Sequence, residues 1–372
     1  MQMRSPKVRP VLTLTFLGVI AMSLVACDTP GSSSQPATPA AVQPAAQPAP
    51  PPSISLAGRV VVAHRGASGY LPEHTLPAKA MAYAMGADYL EQDVVMTKDD
   101  QLIIIHDITL DRTTDVAEKF PGRARADGQH YAVDFTLEEI LTLNVTEGFS
   151  VENGQKRQNY ADRFPLGKSI FKVHTLAQEI ELIQGLNHST GKDIGIYPEI
   201  KSPAFHLAEG KDLGTAVLAV LKQYGYTGKT DKAFVQTFEF DELKRLHDEV
   251  MPALGVDLKL VQLLDGGDEN LWMQTEDGVR QIAQYADGLG PEKTMIIGGD
   301  STADNLQISG LVGYAHANGL QVHPYTFRAD TGQVPAYANS FEHMLELFYV
   351  NAHVDGVFTD FTDRAVEFIR NH

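Results

Sequence analysis

The chain predicts an α/β fold, a (βα)8 TIM-type barrel with a small insertion after the second strand. Three observations carry that expectation. Short β-branched runs alternate with amphipathic stretches from residue 58 onward, the pattern of a parallel sheet with crossover helices. The alternation repeats eight times. Charged and imidazole-bearing residues crowd the C-terminal ends of the runs, where such barrels carry their functional groups.

Taken in chain order, residues 1–26 have the form of a secretory signal peptide. Arg4, Lys7 and Arg9 precede a short apolar stretch from Val11 to Ala26, the expected order of a basic segment and an apolar one. The segment ends in Leu24-Val25-Ala26-Cys27, which resembles a bacterial lipobox, in which the cysteine is acylated and becomes residue one of the mature chain. Cys27 is the one cysteine in 372 residues, so its place in that motif is not an accident of abundance. Residues 27–57 then hold eight of the twenty prolines. Such a Pro/Ala-rich linker builds no core and prefers extended polyproline II, at about 3.1 Å per residue. The expected arrangement is a lipid-anchored protein on the periplasmic side of a bacterial envelope, tied to a bilayer through acylated Cys27. The choice of inner or outer membrane stays open.

The folded region is expected over residues 58–372. Strands are read at about 60–64, 88–95, 194–200, 233–237, 258–264, 286–289, 320–326 and 355–358. Helical patterns fall between and after them, at about 76–86, 175–188, 207–224, 239–249, 277–285, 304–317, 338–350 and 361–370. The run 102–106 follows the second strand after only six residues, too few for a parallel crossover. With turn chemistry at Lys98-Asp99-Asp100, it reads as an antiparallel hairpin arm that returns His106 to a place beside Asp93. Residues from about 107 to 174 complete no strand–helix unit. They are expected to form an insertion over the mouth, acting as a lid, with one short helix at about 136–143.

Composition narrows the function. Lys+Arg 30 against Asp+Glu 47 gives −17, and removing residues 1–26 deepens this to −20. That argues against sequence-independent nucleic-acid binding and against docking on anionic lipid through basic charge. One cysteine excludes an intramolecular disulfide framework.

Four motifs end four elements: His64-Arg65-Gly66, Glu91-Gln92-Asp93, His106-Asp107 and Glu199-Ile200-Lys201. Residues i and i+2 of a strand share a face, so Glu91 pairs with Asp93 and Glu199 with Lys201. Three carboxylates meeting at a barrel mouth repel one another unless a cation lies between them. Oxygen ligands without cysteine favour Ca2+ or Mg2+ over zinc. His64 and His106 titrate near neutrality and suit an acid/base pair, while Arg65 and Lys201 suit phosphate oxygens. Together these groups fit phosphodiester cleavage. His74, His323 and Trp272 read as structural.

The motifs His64-Arg65-Gly66-Ala67, Pro72-Glu73-His74-Thr75, Glu91-Gln92-Asp93, His106-Asp107, Pro198-Glu199-Ile200-Lys201 and Asp355-Gly356-Val357-Phe358-Thr359-Asp360 resemble the glycerophosphodiester phosphodiesterases, over about residues 60–370. Histidine in Pro-Glu-His-Thr, together with the insertion, is similar to the periplasmic, calcium-dependent subtype. The resemblance implies that Glu91, Asp93 and Glu199 bind Ca2+, with Mg2+ the second choice, that His64 and His106 are the acid/base pair, and that Arg65 and Lys201 meet the phosphate. It implies attack by the adjacent glycerol hydroxyl, a cyclic phosphate, and release of sn-glycerol 3-phosphate and an alcohol. Gln236 and Tyr325, at later strand ends, are expected to line the glycerol or head-group pocket, with packing inside the barrel as their alternative. Two rivals remain: a membrane-acting enzyme of the phosphoinositide phospholipase C or phospholipase D kind, and a surface lipoprotein that mainly binds a protein partner.

Overall fold

A computed structural model describes residues 55–372; the expected signal segment, Cys27 and nearly all of the expected linker lie outside the described residues. Eight parallel strands form the barrel. They are β1 (Val60–Ala63), β2 (Tyr89–Met96), β6 (Gly195–Ile200), β7 (Phe234–Thr237), β8 (Lys259–Leu264), β9 (Gly288–Pro291), β10 (Gln321–Val322) and β11 (Gly356–Thr359). Ladders join them in the order β11-β1-β2-β6-β7-β8-β9-β10. Between β10 and β11 no ladder forms, but the Asp355 N–H donates to Val322 O at 2.9 Å and the Phe358 N–H to Pro324 O at 3.0 Å. The ring is therefore nearly closed.

The register explains why the mouth is polar above an apolar floor. Val62, Tyr89, Tyr197, Phe234 and Phe358 pack together inside the barrel, with Tyr197 and Phe234 stacked at 4.8 Å. Two residues further along each strand, on the same face, stand His64, Glu91, Glu199, Gln236 and Asp360. Aromatic bulk fills the lower interior and lifts the next layer to the rim. His323 belongs to the floor, where its Nδ1 pairs with the Tyr197 hydroxyl at 3.1 Å.

Strand β3 (Leu102–Ile104) runs antiparallel to β2, with Val94 opposite Ile104. Its continuation carries His106 back, and the Ile105 N–H donates to Asp93 O at 3.0 Å. The insertion is more structured than a bare lid. Leu110, Phe135, Ile140, Leu143, Phe171 and Val173 form a separate core against Val95, Ile103 and Ile105 of the hairpin. The helix expected near 136–143 spans Leu137–Thr142, capped by Thr136 and Glu139. A second hairpin, β4 (Phe149–Glu152) with β5 (Gln155–Gln158), escaped the sequence reading because its strands are mostly polar and exposed.

The helix expected at 207–224 is two helices, Pro203–Ala208 and Leu213–Gln223. Gly210 breaks it with φ +75°, and the Asp212 side chain caps the second piece. Only Leu311–Ala317 is helical within the stretch expected at 304–317.

Candidate active site

The turn after β1 begins the site. Arg65 and His74 both adopt left-handed backbone, with φ 58° and 55°, a conformation that disfavours side chains and clusters at functional sites. The His74 N–H donates to Arg65 O at 3.0 Å, which holds the two together. Gly66 has φ +86°, and a Cβ there would stand 2.9 Å from the Ala78 backbone, so only glycine fits this close approach.

A cavity of about 210 Å³ opens at the C-terminal mouth of the barrel. His64, Arg65, Glu91, His106, Glu199, Lys201, Gln236 and Tyr325 line it, with Phe238, Glu292, Lys293 and Arg328 among their neighbours. Eight of the nine barrel residues singled out from the sequence thus share one cavity. The ninth, Asp93, is fully buried beneath it, next to Lys201 Nζ at 3.8 Å and Arg65 Nε at 3.4 Å.

Asp93 sits opposite Glu199 across the β2–β6 ladder. Burial pushes the Glu91 and Glu199 carboxyls above their usual range, and Asp93 adds to both shifts. Burial pushes Asp93 the same way, but Lys201, His74 and His106 outweigh it and hold that group ionised. Asp93 Oδ1 has no hydrogen-bond partner among the described residues. Crowded buried acids with an orphaned oxygen form a set that a hard divalent cation fits.

His74, read as structural from the sequence, comes up against the acid cluster. Its Nε2 lies 2.6 Å from Asp93 Oδ2, and ligand atoms of His74, Glu91 and Asp93 all fall within 4.8 Å of one another. A possible metal site therefore includes His74 as ligand or as support for Asp93. The histidine in Pro72-Glu73-His74-Thr75 marks the resemblance to a calcium-dependent subtype, but its contact with Asp93 depends on the left-handed turn and could not be read from the loop sequence.

Each imidazole has its own carboxylate. His64 Nδ1 meets Asp360 Oδ1 at 2.6 Å, and His106 Nδ1 meets Asp107. In both rings Nε2 is the nitrogen left for chemistry. Burial, and then the Arg65 charge, lowers both imidazoles from 6.5 to about 4, so both are neutral at pH 7 without substrate. Asp360 escaped the sequence reading as a site residue. The strand rule could have found it, since it follows Phe358 by two.

Arg65 is tied to Glu73 at 3.0 Å and Lys201 to Glu199 at 2.7 Å, and both still face the cavity. Gln236 is buried, its Oε1 unpartnered among the described residues, whereas the Tyr325 hydroxyl donates to Leu264 O at 2.8 Å. Trp272 packs against Phe240, 5.3 Å between ring centroids.

A glycerophosphodiester phosphodiesterase of Haemophilus influenzae is 47% identical over 332 residues, 84% of this chain and 90% of that one. One from Treponema pallidum is 42% identical over 328 residues, covering 84% and 92%. The fold matches a phosphodiesterase structure from Oleispira antarctica in complex with the product sn-glycerol-3-phosphate, with TM-score 0.56, 22% identity and 84% and 96% coverage. The model of the glycerophosphoryl diester phosphodiesterase family matches residues 64–364, and to that family this chain belongs.

Proposed function

We propose that this enzyme hydrolyses glycerophosphodiesters to sn-glycerol 3-phosphate and an alcohol, with His64 and His106 moving the protons. The observation that carries the reading is the pair of carboxylate-backed imidazoles, which face one cavity with Arg65, Lys201 and a buried acid cluster. Relatives of the same name, at 47% and 42% identity, support the substrate class.

Arg65 and Lys201 would take the phosphate oxygens, because both present positive charge to the cavity while their other contacts hold them in place. A neutral imidazole would accept the proton of the neighbouring glycerol hydroxyl as its oxygen bonds to phosphorus. The alcohol oxygen leaves with a proton from the second imidazole, whose proton affinity the bound anionic diester raises. Water then opens the cyclic phosphate with the two roles exchanged. Glu91, Asp93 and Glu199, with His74 beside them, would hold a divalent cation, Ca2+ ahead of Mg2+. When bound, that ion would offset negative charge that grows on phosphate oxygens.

A coupled assay of glycerol 3-phosphate release tests the substrate class. Turnover is expected with glycerophosphocholine, glycerophosphoethanolamine and glycerophosphoglycerol, and little with intact phospholipid vesicles. Cleavage of vesicles alone would replace this reading by the membrane-acting one. The charged lining, which includes Arg65, Glu292, Lys293 and Arg328, favours small soluble diesters over acyl chains.

We also propose attachment to a bacterial envelope membrane through Cys27. The support is the Leu24-Val25-Ala26-Cys27 motif and the Pro/Ala-rich segment that follows it. Labelled palmitate is expected to enter the wild type and not Cys27→Ser. Equal labelling of both would remove the anchor.

A further inference from the structure

We infer that Arg163, contributed by the insertion, is a positioning residue that fixes the carboxylate orienting His64. The inference rests on the reading of His64 as an acid/base group and extends it to a residue outside the barrel.

Asp360 has two oxygens with separate duties. Oδ1 takes His64 Nδ1 at 2.6 Å. Oδ2 accepts from an Arg163 terminal nitrogen at 2.6 Å and from Arg328 Nε at 2.9 Å. Arg163 is itself locked: it makes a two-point pair with Asp330 at 2.9 and 2.7 Å. Its remaining nitrogen donates to Ser68 O at 3.1 Å, and its guanidinium lies 4.0 Å from the Tyr160 ring centroid. The Ser68 hydroxyl donates to His64 O at 2.7 Å. Arg163 thus grips both the acid that orients the imidazole and the turn that carries its backbone.

The two arginines on Asp360 are not equivalent. The Arg163 side chain is 4% exposed, against 25% for Arg328. Arg328 reaches Asp360 through Nε alone and lines the catalytic cavity, while every nitrogen of Arg163 points into protein. An ionised Asp360 accepts from Nδ1–H and leaves Nε2 free to take a proton. Without Arg163, the buried carboxylate keeps only the more exposed Arg328 on Oδ2 and becomes easier to protonate. A protonated acid could donate to Nδ1 and impose the opposite tautomer, which has a hydrogen on Nε2 and cannot act as a base.

The other imidazole repeats the arrangement more loosely. Asp107, which meets His106 Nδ1, accepts from Arg112 Nε at 2.6 Å, and Arg112 also comes from the insertion. That pair is 27% and 30% exposed, so water can replace part of it. The insertion therefore supplies one arginine behind each imidazole, and the Arg163 side is the more buried of the two.

The test compares wild type, Arg163→Gln, Arg163→Lys, Arg163→Ala, Arg112→Gln and His64→Ala on glycerophosphocholine with saturating Ca2+. Thermal melts and a long-range 15N–1H spectrum that reports the His64 tautomer accompany the kinetics. Arg163→Gln is expected to lose roughly 10–100-fold in kcat, the usual effect of removing an orienting partner, with KM within about threefold of wild type. Arg163→Lys should retain part of the rate, and low guanidinium concentrations should restore part of it to Arg163→Ala. Arg112→Gln should lose less. The His64 spectrum of Arg163→Gln should show the tautomer shifted. A kcat within threefold of wild type in Arg163→Gln, beside an inactive His64→Ala, overturns this inference alone. So does a kcat loss with the His64 tautomer unchanged. A fully active His64→Ala overturns the reading of His64 and this inference with it. Should Arg163→Gln not fold, Arg163→Lys and the guanidinium rescue of Arg163→Ala carry the test: wild-type kcat in the lysine variant and no rescue overturn it.

Discussion

Replacing His64 or His106 by alanine is expected to lower kcat by at least ~10²-fold, the loss of a general acid or base. The fold should survive either change. Asp360 keeps Arg163 and Arg328 when His64 is removed, and Asp107 keeps Arg112 when His106 is removed, so neither variant leaves a carboxylate without a partner. KM should move little, because Arg65 and Lys201 remain in the cavity. The two variants should differ in one respect. Whichever histidine protonates the departing alcohol is dispensable in the first step when the alcohol is already acidic, so with a p-nitrophenyl diester single-turnover release of p-nitrophenol should recover in one variant and not in the other. That comparison assigns acid and base. A variant with near-normal turnover on glycerophosphocholine would remove its histidine from the mechanism.

Much of this site was legible in the sequence because strands impose a strict rule. Side chains at i and i+2 share a face, so Glu91 with Asp93, and Glu199 with Lys201, had to travel together. The short gap between β2 and β3 allowed only a hairpin, and a hairpin had to return His106 toward Asp93. What remained hidden depends on contacts that no local pattern encodes. His74 reaches Asp93 only through two left-handed residues in a loop. Arg163 reaches Asp360 across 197 positions of sequence, a separation no local pattern bridges. The insertion reads as a lid because it completes no strand–helix unit, yet Phe135, Ile140 and Phe171 collect into a core once the hairpin offers Ile103 and Ile105. Helix lengths were overestimated where a single residue breaks the pattern, as Gly210 does.

Chelation is expected to stop glycerol 3-phosphate release, and added Ca2+ to restore it. The physical reason lies in the acids. Burial and mutual repulsion push Glu91 and Glu199 upward, so without a cation these groups tend to hold protons. A divalent ion displaces those protons, since ligands bind metal in their deprotonated form. Calorimetry in buffers of different ionisation enthalpy should therefore show proton release on Ca2+ binding, and affinity should rise with pH as the competing protons leave. The same displacement predicts the stability trend. A carboxyl raised in the folded state contributes stability at low pH that is lost as pH rises, and Ca2+ should recover it, so the ion should raise the melting temperature more at pH 8 than at pH 5. Glu199→Gln should weaken Ca2+ by more than about tenfold, because even losing a group that only orients a ligand costs roughly 10–100-fold. KM measured at saturating Ca2+ should change less, as Lys201 still meets the phosphate once freed from its pair with Glu199. Full activity after exhaustive chelation would leave the acid cluster without a metal to hold and would shift the burden of charge stabilisation onto Arg65 and Lys201 alone.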